Sequence, residues 1–239
     1  MKPRMEGQPV LLLARKAGAA AGQEEGRVRQ MGNGSAAMDA AAWDRRYNDP
    51  AGSWGWAANI WVVAELDGLP PGAALDLGAG EGRHAVWLAG RGWQVDAVDF
   101  SAVGLAGGRL RAAAEGVGDR ITWTVADASR FASAPESLDL VLVAYLQLPE
   151  DQLRSAVTSA AGALVPGGRF LLVNHDTANL TDGTGGPQDP ALLQTPEQVA
   201  GWMRQAGLRV ELAETRNRPV PGVRRPALDC VVLATAPGH

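Results

Sequence analysis

Residues 74–101 read ALDLGAGEGRHAVWLAGRGWQVDAVDFS. Two apolar runs of strand length, AALDLG and QVDAVDF, flank a segment of helical spacing in which Ala85, Leu88 and Ala89 share one face. Three glycines, Gly78, Gly80 and Gly82, fill the turn between the first strand and that helix. Glycine is needed where backbone turns tightly or touches a ligand, because a Cβ would collide. Strand, glycine turn, helix and strand make the repeating unit of a parallel sheet. In such sheets ligands bind beyond the carboxyl ends of the strands, where strand order reverses.

The alternation continues outward. Downstream, AVGLAGGRLRAAAEGV reads as a helix and ITWTVAD as a strand. LDLVLVAYL is a strand so continuously apolar that both its faces should be buried. PEDQLRSAVTSAAGAL is a helix with Pro149 in its first turn and Glu150 and Asp151 just after. PGG breaks it, and RFLLVNH is the next strand. TPEQVAGWMRQAG is a helix capped by Thr195, with Pro196 at its first position and Gly207 beyond its end. LRVELAETR and ALDCVVLATA follow with no helix between them, which predicts a hairpin. Upstream, MDAAAWDRRYNDP predicts a helix ending before Pro50, and WGWAANIWVVAELDGL a second one, stopped by PPG. The predicted fold is α/β: a doubly wound, mostly parallel seven-stranded sheet with helices on both faces and a C-terminal antiparallel β-hairpin. Residues 1–38 are expected to be a disordered N-terminal extension and residues 39–239 one domain, with a helical cover over 39–70 and the core over 71–239.

Composition narrows the partners. The chain has 239 residues, 46% hydrophobic and 20% charged, with net charge -4 and a pI near 5.4. That balance disfavours a nucleic-acid surface, which shows as a basic excess. Arg216, Arg218, Arg224 and Arg225 surround the turn-rich NRPVPGVRRP and are expected in a solvated loop. The single cysteine, Cys230, can form no intrachain disulfide and has no metal-ligand partners in sequence. No apolar run approaches the ~20 residues of a membrane span. A cytoplasmic protein with no metal is the expectation.

The loop and the acid beyond it define a ligand. Asp99 closes the second strand about 20 residues past Gly78, the spacing at which a carboxylate meets the two ribose hydroxyls of an adenosine. A dinucleotide and S-adenosylmethionine both fit. The dinucleotide fingerprint is G-x-G-x-x-G, whose backbone faces a pyrophosphate. Here the spacing is G-x-G-x-G with Glu81 inside the loop. A carboxylate is a poor neighbour for pyrophosphate and a good one for a sulfonium and an amino group. Asp76 sits at the first strand's end, placed to order the loop or to meet the cationic amino-acid portion. Asp127, ending the third strand, is placed to accept from an adenine amino group, and Ala128 offers a backbone N–H to the ring. Phe100 and Ala144 complete the expected cofactor set with Asp76, Gly78, Gly80, Gly82, Asp99, Asp127 and Ala128.

With these segments in view, ALDLGAGEGRHAVWLAGRGWQVDAVDFS, VADAS and LVPGGRFLLV resemble successive motifs of the Rossmann-like S-adenosylmethionine-dependent methyltransferases, over about residues 43–234. Within that superfamily, WDRRYNDP…WGWAANIWVVAEL joined to GEGRHAVWLA is similar to the tellurite-resistance-type small-molecule methyltransferases. That group often has Pro-Asn where this chain has Ala58-Asn59, and cysteine where it has Ala79. The resemblance implies methyl transfer to a small molecule, with a thiol or chalcogen oxyanion as the suggested acceptor. Such acceptors can be anionic at neutral pH and would then need little base catalysis. A nicotinamide-dependent oxidoreductase and a non-catalytic S-adenosylmethionine-binding regulator are the alternatives.

His175, ending the fifth strand, and Tyr145, after the fourth, are the candidate catalytic residues; strand-end polarity is the other reading of His175. Gln147 follows the same strand. His84 is either solvated or hydrogen-bonded to backbone. Trp43, Tyr47, Trp54 and Trp56 form either an aromatic lid or ordinary helix packing. NLTDGTGGPQDP, residues 179–190, is a long glycine-rich loop of the kind that often serves as a lid.

Overall fold

The computed structural model describes residues 38–49 and 55–238. The expected N-terminal extension, apart from Met38, and Trp54 lie outside the described residues. Seven strands form one sheet: β1 (Ala73–Leu77), β2 (Gln94–Asp99), β3 (Ile121–Val125), β4 (Leu138–Ala144), β5 (Leu164–His175), β6 (Arg209–Arg218) and β7 (Ala227–Thr235). Their order is β3-β2-β1-β4-β5-β7-β6. The first five are parallel, and β7 runs antiparallel to both β5 and β6. This is the predicted Rossmann-like methyltransferase sheet with its C-terminal hairpin. The order reverses between β1 and β4, so the ligand crevice opens at their carboxyl ends.

Alternation along each strand builds two cores. Leu140, Leu142, Leu171, Val173, Val231 and Leu233 face the layer of α2 (Ile60–Leu66), α3 (Arg83–Ala89) and α4 (Ala102–Ala114). Val141, Val143, Phe170, Leu172 and Val232 face α5 (Glu150–Ala161) and α7 (Pro196–Gln205). All of these residues belong to β4, β5 or the middle of β7, which explains the near-continuous apolar sequence of those strands: both faces are covered.

Several boundaries differ from expectation for identifiable reasons. The second cover helix begins only at Ile60, because the Asn59 side chain accepts from Trp61 N–H and caps it there. β5 starts at Leu164 and runs through Pro166-Gly167-Gly168, which the sequence reading took as a break. Leu164 pairs with Leu138 before a register shift, so the PGG segment is an irregular strand entry. Asp127 lies two residues beyond the end of β3. The arginine pair Arg216 and Arg218 is in β6, not in a solvated loop. The loop 179–190 contains a short helix, α6 (Asn179–Asp182). The first cover helix, α1 (Ala40–Tyr47), is capped by Asp39 and packs on α4. Ser101, the α4 cap, donates its hydroxyl to Asp44 of α1 at 2.5 Å and ties the cover to the end of β2.

Candidate active site

The glycine loop follows β1 with Gly78, Gly80 and Gly82 at φ 81, 55 and 70, all left-handed. Each also lacks room for a side chain. A Cβ on Gly80 would sit 2.5 Å from the Tyr47 hydroxyl, and one on Gly82 would sit 2.4 Å from the Trp123 ring. Gly78 and Ala79 donate their N–H groups to Val98 O, which welds the loop to β2. Asp99 secures it further: Oδ2 accepts from Gly80 N–H at 2.9 Å and Oδ1 from Ser101 N–H at 2.8 Å. The Phe100 backbone bonds this carboxylate as well, so about one of its roughly four acceptor positions remains for a ribose hydroxyl.

Beneath the loop, Asp76 is fully buried, and its Oδ2 has no hydrogen-bond partner among the described residues. Burial raises its pKa to about 7; a backbone hydrogen bond from Ala85 and the charge of Arg83 oppose the shift. Glu81 and Arg83 line the cavity beside Gly78 and Gly80. Burial raises the pKa of Glu81 and lowers that of Arg83. An orphaned buried carboxylate, a bare glycine turn, and an acid and a base side by side suit a zwitterionic amino-acid group. These residues therefore fit S-adenosylmethionine. Asp99 would take the ribose, Glu81 the ammonium and Arg83 the carboxylate.

The cavity brings together the loop, the ends of β4 and β5, the end of β6 and the cover. Of the residues expected from sequence, Gly78, Gly80, Ala144, Tyr145, Gln147 and His175 line it. Trp43 and Tyr47 line it too, stacked with ring centroids 5.5 Å apart. Trp56 does not: it is an exposed ring with the Arg111 guanidinium 4.5 Å from its centroid. Asp76 and Gly82 support the loop from behind. Asp99, Phe100, Asp127 and Ala128 sit at and beyond the ends of β2 and β3, outside the cavity lining. Asp127 is exposed, and its Oδ1 accepts from the N–H and hydroxyl of Ser129. His84 is buried and backbone-bonded: its Nε2 accepts from Asn59 N–H at 3.3 Å, and burial holds its pKa well below the ordinary value.

Opposite the loop, the expected residues Tyr145 and His175 belong to a polar wall whose centre, Asp229, sequence reasoning missed. Asp229 on β7 is completely buried. Its Oδ2 accepts from Arg218 Nε at 2.7 Å, the Tyr145 hydroxyl at 2.8 Å and Trp61 Nε1 at 3.0 Å. Tyr145 in turn accepts from Asn59 Nδ2 at 2.7 Å. Tyr145 has φ 58, a conformation costing a non-glycine residue ~1–3 kcal/mol. The bonds of its N–H to Val173 O and of its hydroxyl to Asp229 hold it there. Burial pushes the Tyr145 phenol above its usual range, with the Asp229 charge acting the same way. His175 lies against Tyr145, ring centroids 4.9 Å apart, with Nδ1 3.5 Å from Asp229 Oδ1. Burial lowers the His175 pKa to about 4 despite Asp229, with Arg218 adding to the drop, so the imidazole is neutral at pH 7. Arg218 and Arg83 flank the Tyr145 ring at 5.5 and 5.6 Å.

Sheet order, hairpin and glycine loop define the Rossmann-like fold of S-adenosylmethionine-dependent methyltransferases. Residues 74–168 match the family described as "Methyltransferase domain". Among curated relatives, the chain is 32% identical over 119 residues to the ubiquinone/menaquinone biosynthesis C-methyltransferase UbiE of Dinoroseobacter shibae, covering 48% of each protein. The chain spans about half the length of the curated relatives it matches. Among solved structures, an S-adenosylmethionine-dependent methyltransferase of Methanosarcina mazei superposes with TM-score 0.62 at 14% identity, over 76% of this chain and all of that one. The glycopeptide N-methyltransferase MtfA, complexed with S-adenosylmethionine, gives TM-score 0.56 at 25% identity, over 73% of this chain and 91% of that one. No helix among the described residues is long and apolar enough to cross a membrane.

Proposed function

We propose that the chain is an S-adenosylmethionine-dependent methyltransferase acting on a small molecule. The observation that carries the reading is a single cavity lined on one side by the glycine loop and on the other by Tyr145, His175 and Arg218. One side fits the cofactor, and the other offers a donor-rich wall to an acceptor. When bound, the cofactor supplies an electrophilic methyl group for in-line displacement. The protein's task is to align acceptor and methyl and to keep water out. The loop, Asp99, Glu81 and Arg83 would hold the cofactor, while Trp43 and Tyr47 close the cavity from the cover. The family match over residues 74–168 and the G-x-G-x-G spacing favour this reading over a nicotinamide oxidoreductase.

The likeness of the cover and loop motifs to tellurite-resistance-type enzymes supports a thiol or chalcogen oxyanion as acceptor. A cytoplasmic setting, resting on the single cysteine, and the absence of a nucleic-acid partner, resting on the net charge of -4, belong to the same proposal. Calorimetric titration with S-adenosylmethionine and with nicotinamide cofactors tests the class. Incubation of labelled cofactor with thiols, selenite, tellurite, tRNA and bulk protein tests the acceptor. Nicotinamide binding without S-adenosylmethionine binding would sink the first claim, and label confined to tRNA or protein the second.

A further inference from the structure

We infer that Asp229 and His175 form a proton-accepting dyad, and that the acceptor therefore includes a protic oxygen or sulfur nucleophile. This rests on the methyltransferase reading above and extends it to the chemistry at the acceptor.

The two oxygens of Asp229 are used unequally. Oδ2 takes three short bonds, from Trp61, Tyr145 and Arg218, whereas Oδ1 has only Arg218 Nη2 at 3.4 Å. Oδ1 faces His175 Nδ1 at 3.5 Å, longer than a formed hydrogen bond, and among the described residues that buried nitrogen has no hydrogen-bond partner. A carboxylate can only accept from a neutral imidazole. The proton of the neutral ring therefore belongs on Nδ1, directed at Oδ1. This leaves Nε2 as the basic nitrogen, on a ring that lines the cavity. Gly186 packs over the imidazole, where a Cβ would come within 2.9 Å of Cγ and Cδ2 and 3.0 Å of Nδ1, so a side chain there would displace the ring. Tyr145 fixes one face.

The step balances simply. A lone pair on the acceptor oxygen or sulfur forms the new bond to the methyl carbon, and the carbon–sulfonium bond breaks to give a neutral thioether. The acceptor proton passes to His175 Nε2, and the resulting imidazolium is stabilised by Asp229. The sequence named His175 as a candidate catalytic residue without the carboxylate behind it.

Asp229→Asn offers a sharp test. The three donors on Oδ2 would keep the amide oxygen there, which forces the amide NH2 into the Oδ1 position. That group would donate to Nδ1 and drive the ring proton to Nε2. With histidine labelled with nitrogen-15, NMR at pH 7 should show His175 protonated on Nδ1 in the parent and on Nε2 in the variant. An Nε2 proton in the parent overturns the proposal. Phenol and benzenethiol, both offered with S-adenosylmethionine at pH 8, separate base catalysis from positioning, because benzenethiol is already ionised there. Asp229→Asn should lower kcat for phenol at least 100-fold and for benzenethiol less than tenfold, with cofactor affinity by calorimetry unchanged. Equal losses on both probes, or no turnover of either by the parent, overturn it. Failure of the parent to bind S-adenosylmethionine would overturn the methyltransferase reading instead.

Discussion

At the scale of single residues, the site runs on carboxylates in unlike surroundings. Asp99 spends one acceptor position on Gly80 of the loop that it helps present to a ligand and another on Ser101, the α4 cap. Asp99→Ala is therefore expected to weaken S-adenosylmethionine binding at least tenfold. Loss of a charged hydrogen bond costs ~1.5–3 kcal/mol, and release of Gly80 N–H adds to it. Unchanged calorimetric affinity would remove Asp99 from the site. Asp76 behaves differently. Its pKa rises from 3.8 unfolded to about 7 folded, so both states are protonated below pH 4 and impose no penalty. Between pH 4 and 7 the unfolded chain ionises while the fold resists, and stability falls by an amount on the order of 4 kcal/mol. Asp76→Asn should remove that fall. Urea unfolding at pH 5 and pH 8 would show a smaller difference in the variant than in the parent; equal differences would contradict the assignment. Gly78, Gly80, Gly82 and Asp99 were legible because the loop is local in sequence. Asp229 left one readable trace, a lone acid inside the apolar run ALDCVVLA. Its partners Trp61, Tyr145 and Arg218 were not legible, because they depend on hairpin register and on contacts up to 168 positions apart.

At the scale of elements, periodicity gave helix and strand identity almost throughout, and errors gathered at the ends. Capping by Asn59 and the register shift before Leu140 are side-chain and pairing events that no local pattern states. Arg218 read as solvated because its burial comes from β7, eleven residues on. The packing of α4 yields a prediction with competing terms. Gly108→Ala would favour the helix by about 1 kcal/mol in isolation. In the folded protein the new Cβ would meet the Trp123 ring at 2.5 Å and Glu81 O at 2.8 Å, and the second contact is backbone of the glycine loop. Overpacking of this kind costs ~1–3 kcal/mol, so the variant should be less stable than the parent by denaturant titration. It should also bind cofactor more weakly, since the displaced carbonyl belongs to the loop. A more stable variant would show that α4 can slide without disturbing the site.

At the scale of the whole molecule, the domain from residue 39 onward holds every described contact of the site. Residues 1–37 show no periodic apolar face in sequence, so removing them should leave melting temperature and cofactor affinity unchanged; a fall of several degrees would show that they dock. The hairpin that closes the sheet has a different consequence. It joins the cover by Trp61 to Asp229 on β7 and by Glu65 to Arg216 on β6, so the acceptor wall, with Tyr145 and His175, is completed by segments far apart in sequence. The cofactor loop and its supports lie between them, from Gly78 to Gly108. During synthesis the middle of the chain can leave the ribosome and fold while its reactive pocket still lacks one side. Only when β7 emerges do the cover and His175 gain their anchor. Acceptor preference and cofactor capture are thus written in separate stretches of the gene, and variation can reshape one while leaving the other intact.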